Sequence, residues 1–345
     1  MNPSITQKER IISLDIIRGF ALFGILLINV AAYQVIVEGG PSPDYSGING
    51  IIDKLIAILI EKKFFSIFSF LFGVGLYIFA SRAESRGDKP RKRMARRLLS
   101  LLFLGILHFF IFWGTILPFY AVIGLFLIPF YRAKVSTLKK WLVGMTAIYF
   151  VSLVSKIFLP SLESIHAIFD FFANDIVLIF IMFLAGFLTA KADWLVQIKG
   201  MSKQIRRMQI GTFPLFLAFS IWIWNSSQSG DTDLIIALGA IPTTLFYLTT
   251  LFMLLENKRI VKLLKPISRV GQMAFTNYIA QSIIGTAIIS LIGLEVVSPK
   301  DIIYLAISIY TIQIIISMIW FKFFSMGPLE KVWRFMTYGR KKATN

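Results

Sequence analysis

Apolar runs close to twenty residues long recur from one end of the chain to the other, and no other feature constrains the fold as much. Ten can be marked, at about 16–37, 64–81, 97–113, 115–131, 138–158, 175–190, 209–226, 233–255, 273–293 and 301–321. About 20 apolar residues coiled at 1.5 Å per residue match the hydrocarbon core of a bilayer. A water-soluble core cannot hide so many of them, in a chain with 57% hydrophobic and only 16% charged residues. The expected fold is an all-α polytopic integral membrane protein of about ten transmembrane helices. It forms one transmembrane domain over 1–345, with five-span halves 1–158 and 159–345. The irregular stretch is Ile111–Tyr131, where two short runs meet at Trp113-Gly114-Thr115 and the second holds Pro118 and Pro129. A broken or re-entrant segment inside a protein-lined cavity is the alternative there.

A net charge of +18 would suggest nucleic acid in a soluble chain. The placement of the charge gives another answer. When the loops are assigned alternately, 31 of the 36 lysines and arginines fall on one side, in 1–18, 82–97, 132–140, 191–207, 256–272 and 322–345. The other side holds Lys54, Lys62, Lys63, Lys156 and Lys300. This asymmetry predicts both termini in the cytoplasm and an even number of spans; the expected place of such a multi-pass protein is a bacterial-type plasma membrane. Nucleic-acid binding then has no motive. The basic start before an apolar core is signal-like, but the core is long and carries Asp15 and Arg18 at its head, which predicts an uncleaved first span. There is no cysteine, so no disulfide framework and no cysteine-based metal or redox site is expected. Three stretches too short to span, Ile51–Lys63, His166–Phe172 and Arg259–Val270, are expected to lie flat at the bilayer surface.

Polar groups inside such runs are costly unless they face protein or water, so they nominate the working surfaces. On a helical wheel Asp15, Arg18 and Asn29 share one stripe of the first span, within about 60°. Arg18, near the cytoplasmic face, suits a snorkelling anchor paired with Asp15. Asn29 lies deeper and suits an interhelical hydrogen bond. Arg97 and His108 also share a face, about three turns and 16 Å apart. A histidine at that depth can be a general base, a proton relay or a structural donor. His166 lies in a loop and is read as bland. Asn277 and Gln281 form a polar i, i+4 patch that is first read as interhelical glue. Ser66, Ser69 and Gly73 make a small-residue stripe for close packing. The run Arg91–Arg97 marks topology or holds phosphates. No HExxH, GxSxG or paired-carboxylate signature appears, and no metal site is expected.

Several of these motifs carry a resemblance. Ser13-Leu14-Asp15-Ile16-Ile17-Arg18-Gly19 with Asn29 resembles the opening of the YeiB-like family, also termed domain of unknown function 418. Phe65–Gly73, Arg96-Arg97 through Gly105-Ile106-Leu107-His108, Gly271–Tyr278 with Gln281-Ser282, and Gly327–Arg334 with Tyr338 are similar to its later motifs. The opening is also similar to that of the heparan-alpha-glucosaminide N-acetyltransferases, within a broader group of transmembrane acyltransferases. Two departures stand out. The family often places an acid after glycine downstream of its histidine, where this chain has Thr115. The loop after Asn29 lacks the histidine of the N-acetyltransferases, so a catalytic histidine would have to be His108.

The resemblance implies acyl-CoA as donor, met by Arg96 and Arg97 on the cytoplasmic side. His108 would then be the general base or a transient acyl carrier, and Asn29 would orient a carbonyl. Asp15, Arg18, Asn277 and Gln281 would form the supporting polar network. The expected partners are membrane lipid, acyl-CoA and a small or glycan-like acceptor, with a homodimer left open. A small-solute transporter with His108 as proton relay and a non-catalytic scaffold are the other two expectations.

Overall fold

The computed structural model describes residues 7–33, 43–159, 163–195, 197–226 and 230–339. The His166 side chain, residues 34–37 of the expected first span and the tail from Arg340 lie outside the described residues. Fifteen α-helices are present among them: α1 (Gln7–Asn29), α2 (Gly47–Leu59), α3 (Lys63–Glu84), α4 (Pro90–Phe109), α5 (Leu117–Leu125), α6 (Val135–Phe158), α7 (Glu163–Phe172), α8 (Asp175–Lys191), α9 (Ser202–Asn225), α10 (Gly230–Leu254), α11 (Lys258–Leu263), α12 (Lys265–Gln272), α13 (Ala274–Ile292), α14 (Pro299–Phe323) and α15 (Pro328–Tyr338). Their ends follow local chemistry. Proline opens α4, α14 and α15, where its missing N–H costs nothing. The Asn174 side chain accepts from Val177 N at the start of α8. Ser298 and Asp301 form a capping box on α14.

Six apolar helical stretches are long enough to cross a membrane: Ile12–Tyr33, Gly47–Glu84, Val135–Phe158, Thr232–Leu254, Ala274–Ile292 and Pro299–Phe323. The other four expected spans, 97–113, 115–131, 175–190 and 209–226, are not among them. The first turns of α4 carry Arg91, Lys92, Arg93, Arg96 and Arg97, and α9 opens on Lys203, Arg206 and Arg207. The α8 helix is 17 residues long. The region 111–131 is broken: α5 is nine residues long, and a short 3-10 turn at Pro129–Tyr131 follows it.

The α1 helix runs through the core, with Ile16, Ile17, Ala21, Leu22 and Leu26 fully buried, as is Val30 just beyond its end. Two backbone contacts lock the bundle. A Cβ on Gly186 of α8 would sit 1.9 Å from the Phe70 carbonyl oxygen of α3, and one on Gly271 of α12 would sit 1.9 Å from the Asp15 carbonyl oxygen of α1. Only glycine permits approach that close, and both contacts fix helix pairs at backbone distance. The segment 259–270 is not a single helix. It forms α11 and α12, and α12 docks into the bundle with Ser268, Val270 and Gly271 buried. The two halves of the chain also interleave, with α10 packed on α3 and α6, and α15 packed on α4.

Candidate functional site

The polar residues of α1 reach cavities at both of its ends. Near its start, a vestibule of about 590 Å³ is lined by Arg18, Arg82, Arg86, Arg97 and Arg334 together with Asp15 and Glu330. Behind it lies a chamber of about 260 Å³ walled by Phe68, Phe72, Leu101, Tyr120 and Phe275. Arg18, Gly75, Arg97, Gln272, Glu330 and Trp333 line both, so the two spaces adjoin. Near the other end of α1, a distal pocket of about 250 Å³ is lined by Asn29, Glu61, Lys62, Gly114, Asp175 and Tyr278. Ile25, Ile116 and Tyr278 line the chamber and the distal pocket alike, so a single layer of side chains divides them.

The vestibule is held open by satisfied polar groups. Arg18 Nη1 donates to Asp15 Oδ1 at 2.6 Å. Arg97 stacks on Trp333, with its guanidinium carbon 3.7 Å from the ring centre, and Trp333 Nε1 donates to the Arg97 carbonyl at 2.9 Å. Stacking leaves the guanidinium edges free for an anion. Glu330 accepts from Phe275 N (2.8 Å), Thr276 N (3.2 Å) and Thr276 Oγ1 (2.6 Å), so it caps the start of α13 from another helix. Arg96 does not line any of the three cavities. Its Nε donates to the Met336 carbonyl at 2.8 Å, and Arg93 reaches the Thr337 carbonyl at 3.3 Å. Both satisfy the last carbonyls of α15, where a cation is favoured. Arg91 donates to the Pro129 carbonyl at 3.1 Å. The basic run therefore fastens the helix that walls the vestibule and sends Arg97 into it.

His108 is buried beside the cavities and lines none of the three. Its Nδ1 is 2.8 Å from Thr115 Oγ1 and its Nε2 is 2.9 Å from Ser282 Oγ. The single Ser282 hydroxyl proton goes to the Ile279 carbonyl at 2.8 Å. Ser282 thus accepts from Nε2–H, and Nδ1 accepts from Thr115. Thr115, directly after Gly114, is thus the partner of His108 where an acid would have made a His–acid pair. Its hydroxyl also reaches Tyr278, as does Asn29, and Tyr278 Oη accepts from Ile116 N at 3.1 Å. A chain of polar groups therefore runs Ser282–His108–Thr115–Tyr278–Asn29, and Tyr278 is the member that meets both cavities.

Asn277 and Gln281 lie elsewhere. Asn277 Nδ2 donates to the Val270 carbonyl (3.0 Å) and Ser317 Oγ (3.1 Å), and Gln281 Nε2 donates to Gln313 Oε1 (3.0 Å). This network joins α12, α13 and α14 in the buried interior and lines none of the three cavities. Among the described residues, no group of three or more histidines, cysteines or carboxylates could hold a metal. Sequence reasoning gave Tyr278, Glu330 and Trp333 no role beyond their place in motifs, and read Arg82, Arg86 and Arg334 as topology charges. Tyr278 and Ser282 are i, i+4 neighbours on α13, and that spacing was the available signal.

The fold and cavities define a helical protein with membrane-type helices and an arginine-lined opening into an apolar chamber. The chain belongs to the YeiB-like DUF418 family. It is similar over 99% of its length, at 32% identity, to the "uncharacterized 39.9 kDa protein in amylase 3' region" of Bacillus acidopullulyticus, covering 97% of that protein. It is 29% identical to YxaH of Bacillus subtilis over 98% of this chain and 96% of YxaH. It is 24% identical to YeiB of Escherichia coli over 95% of this chain and 96% of YeiB. Residues 189–340 match the family described as protein of unknown function (DUF418), a span that includes Tyr278 and Glu330. No solved structure matches.

Proposed function

We propose that this protein is a membrane acyltransferase that draws acyl groups from cytoplasmic acyl-CoA, in a ten-span arrangement with both termini in the cytoplasm of the plasma membrane. The 31-to-5 charge split supports that orientation. The observation that carries the chemistry is the arginine vestibule opening into an apolar chamber that ends at Tyr278. A polyphosphate head suits Arg18, Arg82, Arg86 and Arg97, and an acyl chain suits the aromatic chamber.

Proton transfer at the partition uses the polar chain. The acceptor heteroatom attacks the thioester carbon and gives its proton to Tyr278 Oη. Tyr278 passes its own proton to Thr115, and Thr115 passes one to His108 Nδ1. The C–S bond breaks, and the proton returns by the same route to the thiolate. His108 therefore acts through Thr115 and Tyr278, without touching substrate. Asn29 and the Ile116 N–H steady the Tyr278 oxygen.

The test is binding to purified protein in lipid nanodiscs. Butyryl-CoA should bind more tightly than CoA, since each buried CH₂ is worth about 0.8 kcal/mol. Arg97→Ala should weaken both at least tenfold. Failure of CoA to bind at millimolar concentration, or indifference to Arg97→Ala, would end the donor reading. A small-solute transporter is the second reading, because cavities at both ends of α1 are divided by one layer. Solute flux across proteoliposomes without CoA binding would favour it.

A further inference from the structure

The distal pocket has a chemistry of its own. Its volume of about 250 Å³ falls below the roughly 300–1,000 Å³ of pockets for drug-sized molecules. Its ligand is therefore small, which disfavours the glycan-like acceptor. Three charged residues line it: Glu61, Lys62 and Asp175. Lys62 Nζ and Asp175 Oδ1 neutralise each other at 2.8 Å. Lys63 is buried, donates to the Ala57 carbonyl at 2.6 Å and does not line the pocket. Glu61 forms no ion pair among the described residues. The three charges that line the pocket sum to −1, with Lys62 and the neighbouring Lys63 acting on Glu61 from one side, so the lining favours a cation. Phe64 and Phe65 add aromatic walls, which also favour a cation. Asn29 and the Tyr278 hydroxyl supply hydrogen-bonding groups on the side that borders the chamber.

We propose that the distal pocket binds a small organic cation carrying a hydroxyl, an amino alcohol, with its ammonium against Glu61 and the phenylalanine rings and its hydroxyl toward Asn29 and Tyr278. The word acceptor for this ligand rests on the acyltransferase reading; the binding itself does not. As acceptor, its hydroxyl would meet Tyr278 at the boundary with the donor chamber.

The test uses the absence of native cysteine. Ile28 lines the pocket and is 39% exposed. The single variant Ile28→Cys, in nanodiscs, is labelled with a maleimide in the presence of choline or of its neutral isostere 3,3-dimethylbutan-1-ol. Choline should slow labelling severalfold and the neutral alcohol should not. Adding Glu61→Gln should weaken choline protection at least tenfold while CoA binding is kept. Equal protection by the neutral alcohol, no protection by choline, or full protection in the Glu61→Gln variant would overturn the proposal. If Glu61→Gln does not fold, the comparison of choline with its isostere in the Ile28→Cys protein decides alone. Choline protection without CoA binding would remove only the donor reading. CoA binding without choline protection would remove only this one.

Discussion

Glu330 offers the sharpest test of how the vestibule is built. Its carboxylate reaches from α15 to the start of α13, accepting from two backbone N–H groups and one hydroxyl. Glu330→Ala removes all three acceptors and a negative charge at a helix N-terminus. A hydrogen bond to a charged group contributes about 1.5–3 kcal/mol and a helix-end charge about 0.3–1 kcal/mol. The contributions overlap and vestibule water recovers part of the loss, so a net destabilisation of about 2–4 kcal/mol is expected. Glu330→Gln retains a carbonyl oxygen for Phe275 N and Thr276 N and should cost about 1 kcal/mol. Reversible unfolding in mixed micelles measures both. A double-mutant cycle with Thr276→Val should give a coupling of about 1 kcal/mol. In parallel, either Glu330 variant should bind CoA more tightly, because one negative charge has left the arginine cluster. Stability of Glu330→Ala within 0.5 kcal/mol of wild type, or a Gln variant as unstable as the Ala variant, would refute the capping argument.

The polar chain and the topology make separate predictions. His108→Ala strips ring partners from Thr115 and Ser282 and leaves a void, and should cost about 2–4 kcal/mol of stability. Thr115→Val should cost only about 1 kcal/mol yet slow acyl transfer about 10²–10⁴-fold, while Thr115→Ser retains the rate. Equal rates in the Val and Ser variants would remove the relay. For topology, Asp233→Cys should react with an impermeant thiol reagent in intact cells and Ser85→Cys only after permeabilisation. The reverse pattern would invert the protein in its membrane.

Periodicity reveals which residues share a face and says little about what covers that face. The stripe of Asp15, Arg18 and Asn29 is legible because α1 is regular, and its members do meet cavities at the two ends of the helix. Asp15 and Arg18 are i, i+3 neighbours, so their pairing is local. The common face of Arg97 and His108 is equally legible. Their separation into a cavity residue and a buried one depends on α5, α13 and α15, which come from distant parts of the chain. Tyr278 reads as one more aromatic residue in an apolar run, and only the convergence of Ile116 N, Thr115 and Asn29 on its hydroxyl distinguishes it. Arg82, Arg86 and Arg334 look like loop charges that set topology, because nothing local reveals the cavity they border. The docking of α12 was hidden for a related reason. Its composition is that of a surface helix, and the decisive feature is the Gly271 backbone contact with Asp15.

The corner between α2 and α3 bears on how the chain enters a bilayer. Gly47–Glu84 is an apolar stretch of 38 residues, nearly twice the roughly 20 residues that one crossing requires. An insertion machinery that weighs hydropathy alone would meet one over-long segment with no obvious register. Lys62, in the left-handed region at φ 58°, breaks that segment, and Lys63 turns back to the Ala57 carbonyl in the last turn of α2. Two adjacent cations thus set where the crossing begins. They leave Glu61 and Lys62 at the lip of the distal pocket, and an apolar pair in their place would let the segment slide by several residues and carry the pocket's charged wall with it.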